Sequence, residues 1–354
     1  STAMEPVFGE TYKKPFRNVI DILAIVATVM GIATSIGLGI MQIGGGLHHV
    51  FDIPNNNWTK IIITVIMTVL FLGSAASGLN KGVKWLSNAN IFICFALLIF
   101  ILILGPTQFI FETFTVAIGD YITNFVQYSL RLNPYEGDNS WIQQWTVFYW
   151  AWVIAWSPFI GGFVARVSRG RTIREFVIGV LIIPPLISFS WIATFGGTAM
   201  YLVINKGASI AEDVKGDYTV ALFSLLSNFP FYEATSILAI ILIFLFLVTS
   251  ADSTTFILSS MSDKGSIVPP FKYKLVWGIL IGAISVAMTL AGGLESLQTA
   301  SVVAGLPFAF ILFLMMFSIM KALRREPSKH FKMTYIDDDT DFSKSLEERE
   351  EEEK

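Results

Sequence analysis

The chain is poor in charge and in cysteine. Only 14% of its 354 residues are charged, whereas 54% are hydrophobic and the mean hydropathy is +0.64. A soluble domain of this length would expose too much apolar surface to water, so the composition excludes that class and predicts a bilayer protein. Cys94 is the only cysteine, which excludes a disulfide framework and a cysteine-based metal site.

The side chains that enzymes use are also scarce. The three histidines, His48, His49 and His330, show no metal-ligand spacing. No nucleophile–base pair and no paired carboxylates lie in the apolar segments, so an intramembrane enzyme would lack its reagents. We therefore predict no catalytic residues, no organic cofactor and no nucleic-acid partner.

Eight apolar runs are long enough to cross a hydrocarbon core of about 30 Å, which takes roughly 20 helical residues. They are continuous rather than alternating, which predicts helices and not a barrel. The expected spans are 18–43, 59–79, 87–105, 145–166, 175–204, 233–261, 273–292 and 298–320. Residues 108–132 mix polar and apolar positions at helical spacing, and we predict an interfacial helix on the outer face.

Lysine and arginine predict the orientation of these spans. Fifteen of them fall in connections on one side and four on the other, with the tail left uncounted. The positive-inside rule then places both ends of the chain in the cytoplasm. The last residues are rich in aspartate and glutamate, which is typical of a solvated tail.

Aromatic residues are concentrated in the fourth span, in "FYWAWVIAWSPF" (148–159). Phe148, Trp152 and Trp156 recur every four residues and so lie along one face of a helix, with Phe159 one turn further. A trimethylammonium group has no N–H donor, so a protein holds it with aromatic faces or carboxylates. Core packing and an interfacial aromatic belt are the alternatives. Ser157 and Pro158 predict a local break, which suits a binding site or a simple packing kink.

Hydroxyl groups are concentrated in "VTSADSTTF" (248–256), within the sixth span. Thr249 and Ser250 offer oxygens that suit a sodium ion, whereas we expect Ser253, Thr254 and Thr255 to bond to their own helix. Asp252 is an ionisable group inside a span, where charge is costly and usually functional. We expect it to accept structural hydrogen bonds, and proton transfer is the alternative.

These segments carry a family resemblance. "WTVFYWAWVIAWSPFIGGFVARVSRGRTIREF" (145–176), "VTSADSTTF" and "IVATVMGIATSIGLGIMQI" (25–43) resemble the betaine/carnitine/choline transporter family. The resemblance implies an all-α polytopic membrane protein with a leucine-transporter-like inverted-repeat fold. On the family register the chain starts at the fifth of twelve spans, so the fold is expected to be incomplete at the N-terminus.

The resemblance also implies domain boundaries and an assembly. We expect residues 1–134 to hold the end of the first repeat, the following spans and the outer helix. Residues 135–322 would form the second inverted repeat of five spans, and 323–354 a charged cytoplasmic tail. A homotrimer is expected when the protein is intact.

The site residues depart from the family pattern in two places. The family positions of Thr249 and Ser250 bind sodium, but a second pair of threonines reads Thr28 and Ile32 here, and isoleucine cannot bind an ion. A second sodium site is therefore doubtful, although Thr34 lies nearby. The usual double tryptophan reads Trp152 and Val153, so either one face of the cage comes from elsewhere or the pocket admits a bulkier substrate.

The sequence thus predicts sodium-coupled uptake of a quaternary ammonium osmolyte, most plainly glycine betaine, by alternating access in a bacterial-type plasma membrane. Phe148, Trp152 and Trp156 would bind the substrate and Thr249 and Ser250 the sodium ion. Secondary candidates are Thr28, Thr34, Phe159 and Asp252. The alternatives are proton-coupled or exchange transport of choline or carnitine, and a transport-incompetent membrane fragment. Lipids of the bilayer, including anionic lipids, are the other expected partners.

Overall fold

The computed structural model describes residues 2–9, 14–77, 80–132, 139–263, 265–266 and 268–325. Within these ranges every regular element is helical. The α-helices are α1 (Glu5–Phe8), α2 (Lys14–Phe51), α3 (Asn57–Ser77), α4 (Asn80–Leu104), α5 (Thr107–Thr123), α6 (Phe125–Ser129), α7 (Phe148–Val167), α8 (Ile173–Leu181), α9 (Ile183–Lys206), α10 (Ile210–Gly216), α11 (Ala221–Leu226), α12 (Tyr232–Ser262), α13 (Phe271–Gly292) and α14 (Leu294–Arg325). Short 3-10 turns lie at Thr2–Met4 and Tyr218–Val220, and a π-helical turn at Ile142–Val147 precedes α7.

Eight helical segments of the described chain are long and apolar enough to cross a membrane, which confirms the predicted all-α polytopic class. They are Pro15–Phe51, Asn57–Ala76, Trp85–Leu104, Ile142–Val167, Ile173–Lys206, Tyr232–Ser262, Phe271–Gly292 and Leu294–Arg324. The first is far longer than the predicted run of 18–43. Its additional turns carry polar residues at both ends, which hydropathy alone does not assign to a span.

The predicted span 175–204 is two helices rather than one. Thr172 caps α8, because its hydroxyl accepts from the Glu175 backbone N–H while the Glu175 carboxylate accepts from the Thr172 N–H. The helix is interrupted at Ile182, two residues before Pro184 and Pro185 begin. These prolines lack the N–H groups that would continue the hydrogen-bond ladder.

The helix predicted over 108–132 is likewise interrupted. α5 ends at Thr123 and the short α6 ends at Ser129, with Asn124 between them. The Asn124 side chain donates to the Asp120 carboxylate at 2.8 Å and so closes the end of α5. α5 packs along α9.

α2 forms the centre of the fold and packs against α7, α12 and α13. Its inward residues, among them Ile32, Ile36 and Ile40, are fully buried in a core shared with α3, α12 and α13. Small residues permit this packing, since a Cβ on Gly37 would approach Leu297 of α14 and one on Gly39 would approach Leu247 of α12. The segment 31–46 is rich in small residues, a pattern that predicts close helix packing, and the structure packs it in that way.

Contacts divide the described chain into two units. One contains residues 14–312 and holds every predicted site residue. The other contains residues 2–9 and 313–325, where Ser318 Oγ donates to the Ala3 carbonyl at 2.6 Å. The repeat boundary near 134 stays a prediction, and residues 326–354 of the predicted tail lie outside the described residues.

Candidate functional site

Four aromatic rings of α7 form a continuous column, which we call the aromatic column: Phe148, Trp152, Trp156 and Phe159. Phe148 and Trp152 are stacked, with centroids 5.5 Å apart and planes 7° from parallel. Trp156 meets Trp152 edge to face at 6.4 Å and Phe159 at 5.7 Å. Phe148 and Phe159 are buried and the two indoles are half-buried. The structure thus brings together all four aromatic candidates.

The two indoles of the column are held by α2. Trp156 Nε1 donates to the Gly31 carbonyl at 2.8 Å and to Ser35 Oγ at 3.0 Å. Trp152 Nε1 donates to the same two oxygens at 3.1 and 3.2 Å. Ser35 Oγ in turn donates to the Gly31 carbonyl at 3.1 Å. We call Gly31 O and Ser35 Oγ the acceptor pair.

Gly31 is required for this approach of α2 to α7. A Cβ at this position would lie 2.7 Å from Trp156 Cδ1 and 3.1 Å from the backbone carbon of Ala155. Real Cβ atoms essentially never show a contact as short as 2.7 Å, and the backbone of Ala155 at 3.1 Å cannot move aside as a flexible side chain can. A side chain on residue 31 would therefore separate the two helices at the column.

The break predicted at Pro158 is satisfied within α7 itself. Proline lacks the N–H that would bond to the carbonyl four residues earlier, which belongs to Ile154. Ser157 Oγ donates to this same carbonyl at 2.6 Å. The dipeptide therefore provides its own hydrogen bond, which favours the packing interpretation of this break.

A π-helical turn, Ile142–Val147, leads directly into the column. Such turns widen the helix and leave backbone groups without their usual partners, and they are frequent at functional sites. Gln298 of α14 donates from Nε2 to the Gln144 carbonyl in this turn at 2.6 Å. The start of α7 is thereby tied to α14.

The hydroxyls of α12 bond largely to their own helix. Ser253, Thr254 and Thr255 donate to the carbonyls of residues 249, 250 and 251, as predicted. Thr249 does the same, with Leu245 O at 2.9 Å. Thr249 and Ser250 are half-buried and lie between Val248 and Ala251, which belong to the core around α2 where Trp156 packs. Their oxygens remain available as acceptors.

Asp252 lies one turn before a ring that two cations contact. Arg166 Cζ of α7 is 4.7 Å from the centroid of Phe256, and Lys274 Nζ of α13 is 5.3 Å from it. No group in the described part of the chain donates a hydrogen bond to the half-buried Asp252 carboxylate. Its expected structural hydrogen bonds therefore stay a prediction.

The two secondary threonines of α2 differ in their hydrogen bonds. Thr34 is fully buried and its Oγ1 lies 2.8 Å from Ser301 Oγ and 3.1 Å from the Leu297 carbonyl, both in α14. It therefore joins two helices. Thr28 is 1% exposed, and its hydroxyl has no partner among the described residues. Ile32, one turn later, is fully buried and apolar.

The segment between α10 and α11 packs against the C-terminal part of α2. Tyr218 is half-buried there, with its hydroxyl 3.9 Å from Met41 Sδ. Burial, and secondarily the negative charge of Asp217, raise the pKa of Tyr218 to about 12. The phenol therefore remains protonated over the physiological pH range.

Among the described residues, no three His, Cys, Asp or Glu side chains lie close enough together to hold a metal ion. The predicted ion-binding residues, Thr249 and Ser250, carry neutral hydroxyl oxygens. Hydroxyl and carbonyl groups suit a monovalent cation, because they provide dipoles without the charge that divalent ions require.

The sequence comparisons decide the family. The family model described as "BCCT, betaine/carnitine/choline family transporter" matches residues 1–328. The chain belongs to the betaine/carnitine/choline transporter family. Its relatives are named as transporters, so the prediction of a transporter rather than an enzyme is confirmed at the level of the family.

Three relatives show the range of the family. The chain is 51% identical to an ectoine/hydroxyectoine transporter of Virgibacillus pantothenticus and 45% identical to the glycine betaine transporter OpuD of Bacillus subtilis. These alignments cover 93% and 95% of the chain and 65% of each relative. A high-affinity choline transport protein of Escherichia coli is 36% identical, over 92% of the chain and 48% of the relative. The chain thus spans less than two thirds of these family members.

Sequence reasoning missed the residues that hold the column. Gly31 and Ser35 are spaced one helical turn apart in a small-residue segment, and that segment predicted only close packing. Gln298 and the π-helical turn left no signal in hydropathy or periodicity, because a single inserted residue does not change the apolar character of a span.

Proposed function

We propose that the complete protein containing this chain takes up a quaternary ammonium osmolyte, glycine betaine in the first instance, together with sodium by alternating access. The aromatic column carries this proposal. Its two indoles are half-buried and their N–H edges bond to α2, which leaves the ring faces for contact with a cation. Each face contributes roughly 0.5–2 kcal/mol, more where water is excluded.

Sodium coupling is supported by neutral oxygens on α12. Thr249 and Ser250 are half-buried, so an ion that enters from water can reach their oxygens. Neither position carries a cationic or thioether side chain that could replace the ion. We propose that sodium binding at these residues favours the closed, substrate-bound state, because a ligand shifts a conformational equilibrium only through differential affinity.

A second substrate is favoured by one position and one relative. Val153 stands where the family usually has a second tryptophan, and its side chain is 64% exposed. The smaller valine side chain leaves more space beside Trp152 than the indole of a second tryptophan would. The 51% identical relative is named for ectoine and hydroxyectoine. We propose ectoine as the alternative substrate, to be separated from betaine by competition.

The membrane setting completes the proposal. We infer a bacterial-type plasma membrane with residues 2–9 and the end of α14 on the cytoplasmic side, because lysine and arginine are concentrated in the connections on that side. A homotrimer is proposed on the family resemblance alone, and contacts with anionic lipids on the arginines of the connection between α7 and α8.

The test is uptake of radiolabelled glycine betaine by cells that lack their own osmolyte uptake and express the complete gene. We expect saturable uptake in sodium medium and a loss of at least tenfold in potassium medium. Equal rates in both media would refute sodium coupling, and dependence on external pH would favour the proton-coupled alternative through Asp252. Stronger competition by unlabelled ectoine than by betaine would assign ectoine as the substrate, and stronger competition by choline would assign choline.

A further inference from the structure

We propose that Ser35 is a positioning residue of the substrate site, which together with the Gly31 carbonyl fixes the orientation of Trp152 and Trp156. The inference rests on the proposed function, in which these indoles bind the cationic group of the substrate. Ser35 belongs to α2 and bonds to the N–H edges of the two indoles rather than to their faces, so it acts through the rings and not by direct contact.

The hydrogen bonds form a closed set. Each indole N–H donates to both the Gly31 carbonyl and Ser35 Oγ, at 2.8 to 3.2 Å. The Ser35 hydroxyl in turn donates to the Gly31 carbonyl. An indole nitrogen is a donor only, so the N–H is the single polar group of each ring. Because both N–H groups bond to the acceptor pair, rotation of either ring away from α2 would break hydrogen bonds whose loss costs free energy in a membrane interior.

The spacing of the two helices makes this set possible. Trp152 and Trp156 lie one turn apart on α7, and Gly31 and Ser35 lie one turn apart on α2, so both pairs face each other at the same level. The absent side chain of Gly31 lets the helices approach until both nitrogens reach one carbonyl. Without Ser35, that carbonyl would be the one remaining acceptor for two N–H groups.

A consequence follows for how substrate is oriented. Since both N–H groups are already engaged, the column presents ring faces and edges but no free hydrogen-bond donor. A carboxylate gains nothing from these two residues, whereas a trimethylammonium group needs only the faces. The cationic end of a zwitterionic osmolyte is therefore the end that the column binds, and the carboxylate lies away from Trp152 and Trp156.

The first test compares Ser35→Ala with Ser190→Ala in the full-length protein. Both serines donate to the carbonyl four residues earlier, at 3.1 and 2.9 Å, but only Ser35 also accepts from the indoles. We expect Ser35→Ala to raise KM for the transported osmolyte about three- to tenfold with kcat changed less, the effect of a lost hydrogen bond or two. Ser190→Ala should leave KM unchanged. An unchanged KM in Ser35→Ala would overturn the proposal.

The second test asks whether Ser35 acts through the indoles. In a Trp152→Phe/Trp156→Phe background the rings remain but the N–H donors are gone. We expect Ser35→Ala to change KM by less than about twofold there, because interacting residues are non-additive. The same KM increase in both backgrounds would show that Ser35 acts only by packing α2, and the proposal would be wrong.

A third measurement needs no transport. In the detergent-solubilised protein labelled with 15N at its tryptophan side chains, we expect Ser35→Ala to shift the two indole N–H resonances that disappear in Trp152→Phe and Trp156→Phe. The other indole signals should stay in place. Shifts of these two signals in a protein that does not take up betaine would refute the proposed substrate and support the positioning role. Unshifted signals would refute the positioning role whatever the substrate.

Discussion

At the scale of single residues, the column combines two kinds of tryptophan environment. Trp58 and Trp85 are 72% and 70% exposed at the ends of spans, which is typical of an interfacial belt. Trp152 and Trp156 are instead half-buried and their N–H groups bond to another helix. An indole that serves only as a lipid anchor has no need of such fixed orientation, so these two positions fit ligand binding better.

Replacing Trp156 therefore separates the two roles. We expect Trp156→Leu to raise KM for glycine betaine about 5- to 30-fold, because one aromatic face worth roughly 1–2 kcal/mol is removed. Trp58→Leu removes an exposed tryptophan of the same size and should leave KM unchanged. Uptake kinetics at matched membrane expression would check both variants, and an unaltered KM in Trp156→Leu would exclude Trp156 from the site.

At the scale of helices, hydropathy predicted the number and class of the spans but not their internal breaks. Hydropathy identifies the eight spans because a segment that crosses lipid must be apolar over its whole length. It identifies them as helices because each span must satisfy its own backbone hydrogen bonds. The interruption at Ile182 depends on the N–H groups that Pro184 and Pro185 lack, whereas the π-helical turn before Phe148 and the end of α5 depend on single hydrogen bonds. Such bonds change the course of a helix without changing its mean hydropathy.

The same limit applies to the candidate site. The spacing of Phe148, Trp152 and Trp156 predicted a common face, and the structure has them in one column. The groups that bond to the two indoles lie in α2, more than a hundred residues away in the sequence. No local sequence pattern predicts such a contact. Thr34 illustrates the converse, because a hydroxyl that suits an ion in sequence bonds to Ser301 of α14 in the fold.

A prediction at the helix scale concerns the break in α7. Ser157 supplies the hydrogen bond that Pro158 withholds from the Ile154 carbonyl. We expect Ser157→Ala to lower the free energy of unfolding by about 0.5–1 kcal/mol, because that carbonyl loses its donor. In Pro158→Ala the backbone N–H can bond to Ile154, so the added Ser157→Ala change should cost less than about half as much.

Reversible unfolding in mixed detergent micelles would measure both free energies. Ser190→Ala serves as the control for loss of a serine hydroxyl from an exposed helix face. If Ser157→Ala costs as much in the Pro158→Ala background as in the original protein, the hydroxyl does not compensate for the proline.

At the scale of the whole molecule, the distribution of charge predicts which ends of the helices face the cytoplasm. The connection between α7 and α8 holds Arg169 and Arg171, whereas the segment around α10 holds Lys215 beside Glu212 and Asp213. These two connections are separated by the single membrane span that contains α8 and α9. We predict that this segment crosses once, which places the two connections on opposite sides of the bilayer with the arginine-rich one inside.

Cysteine labelling decides between the two orientations. Cys94 is the only cysteine of this chain, so Cys94→Ala, with any cysteine elsewhere in the complete protein also replaced by alanine, gives a background without thiols. In that background Glu212→Cys should react with a membrane-impermeant maleimide in intact cells, because Glu212 is exposed and predicted to lie outside. Arg169→Cys is equally exposed but should react only after permeabilisation. The opposite pattern would invert the topology and would place Arg166, Lys274 and the ring of Phe256 at the outer rather than the inner end of the transport path.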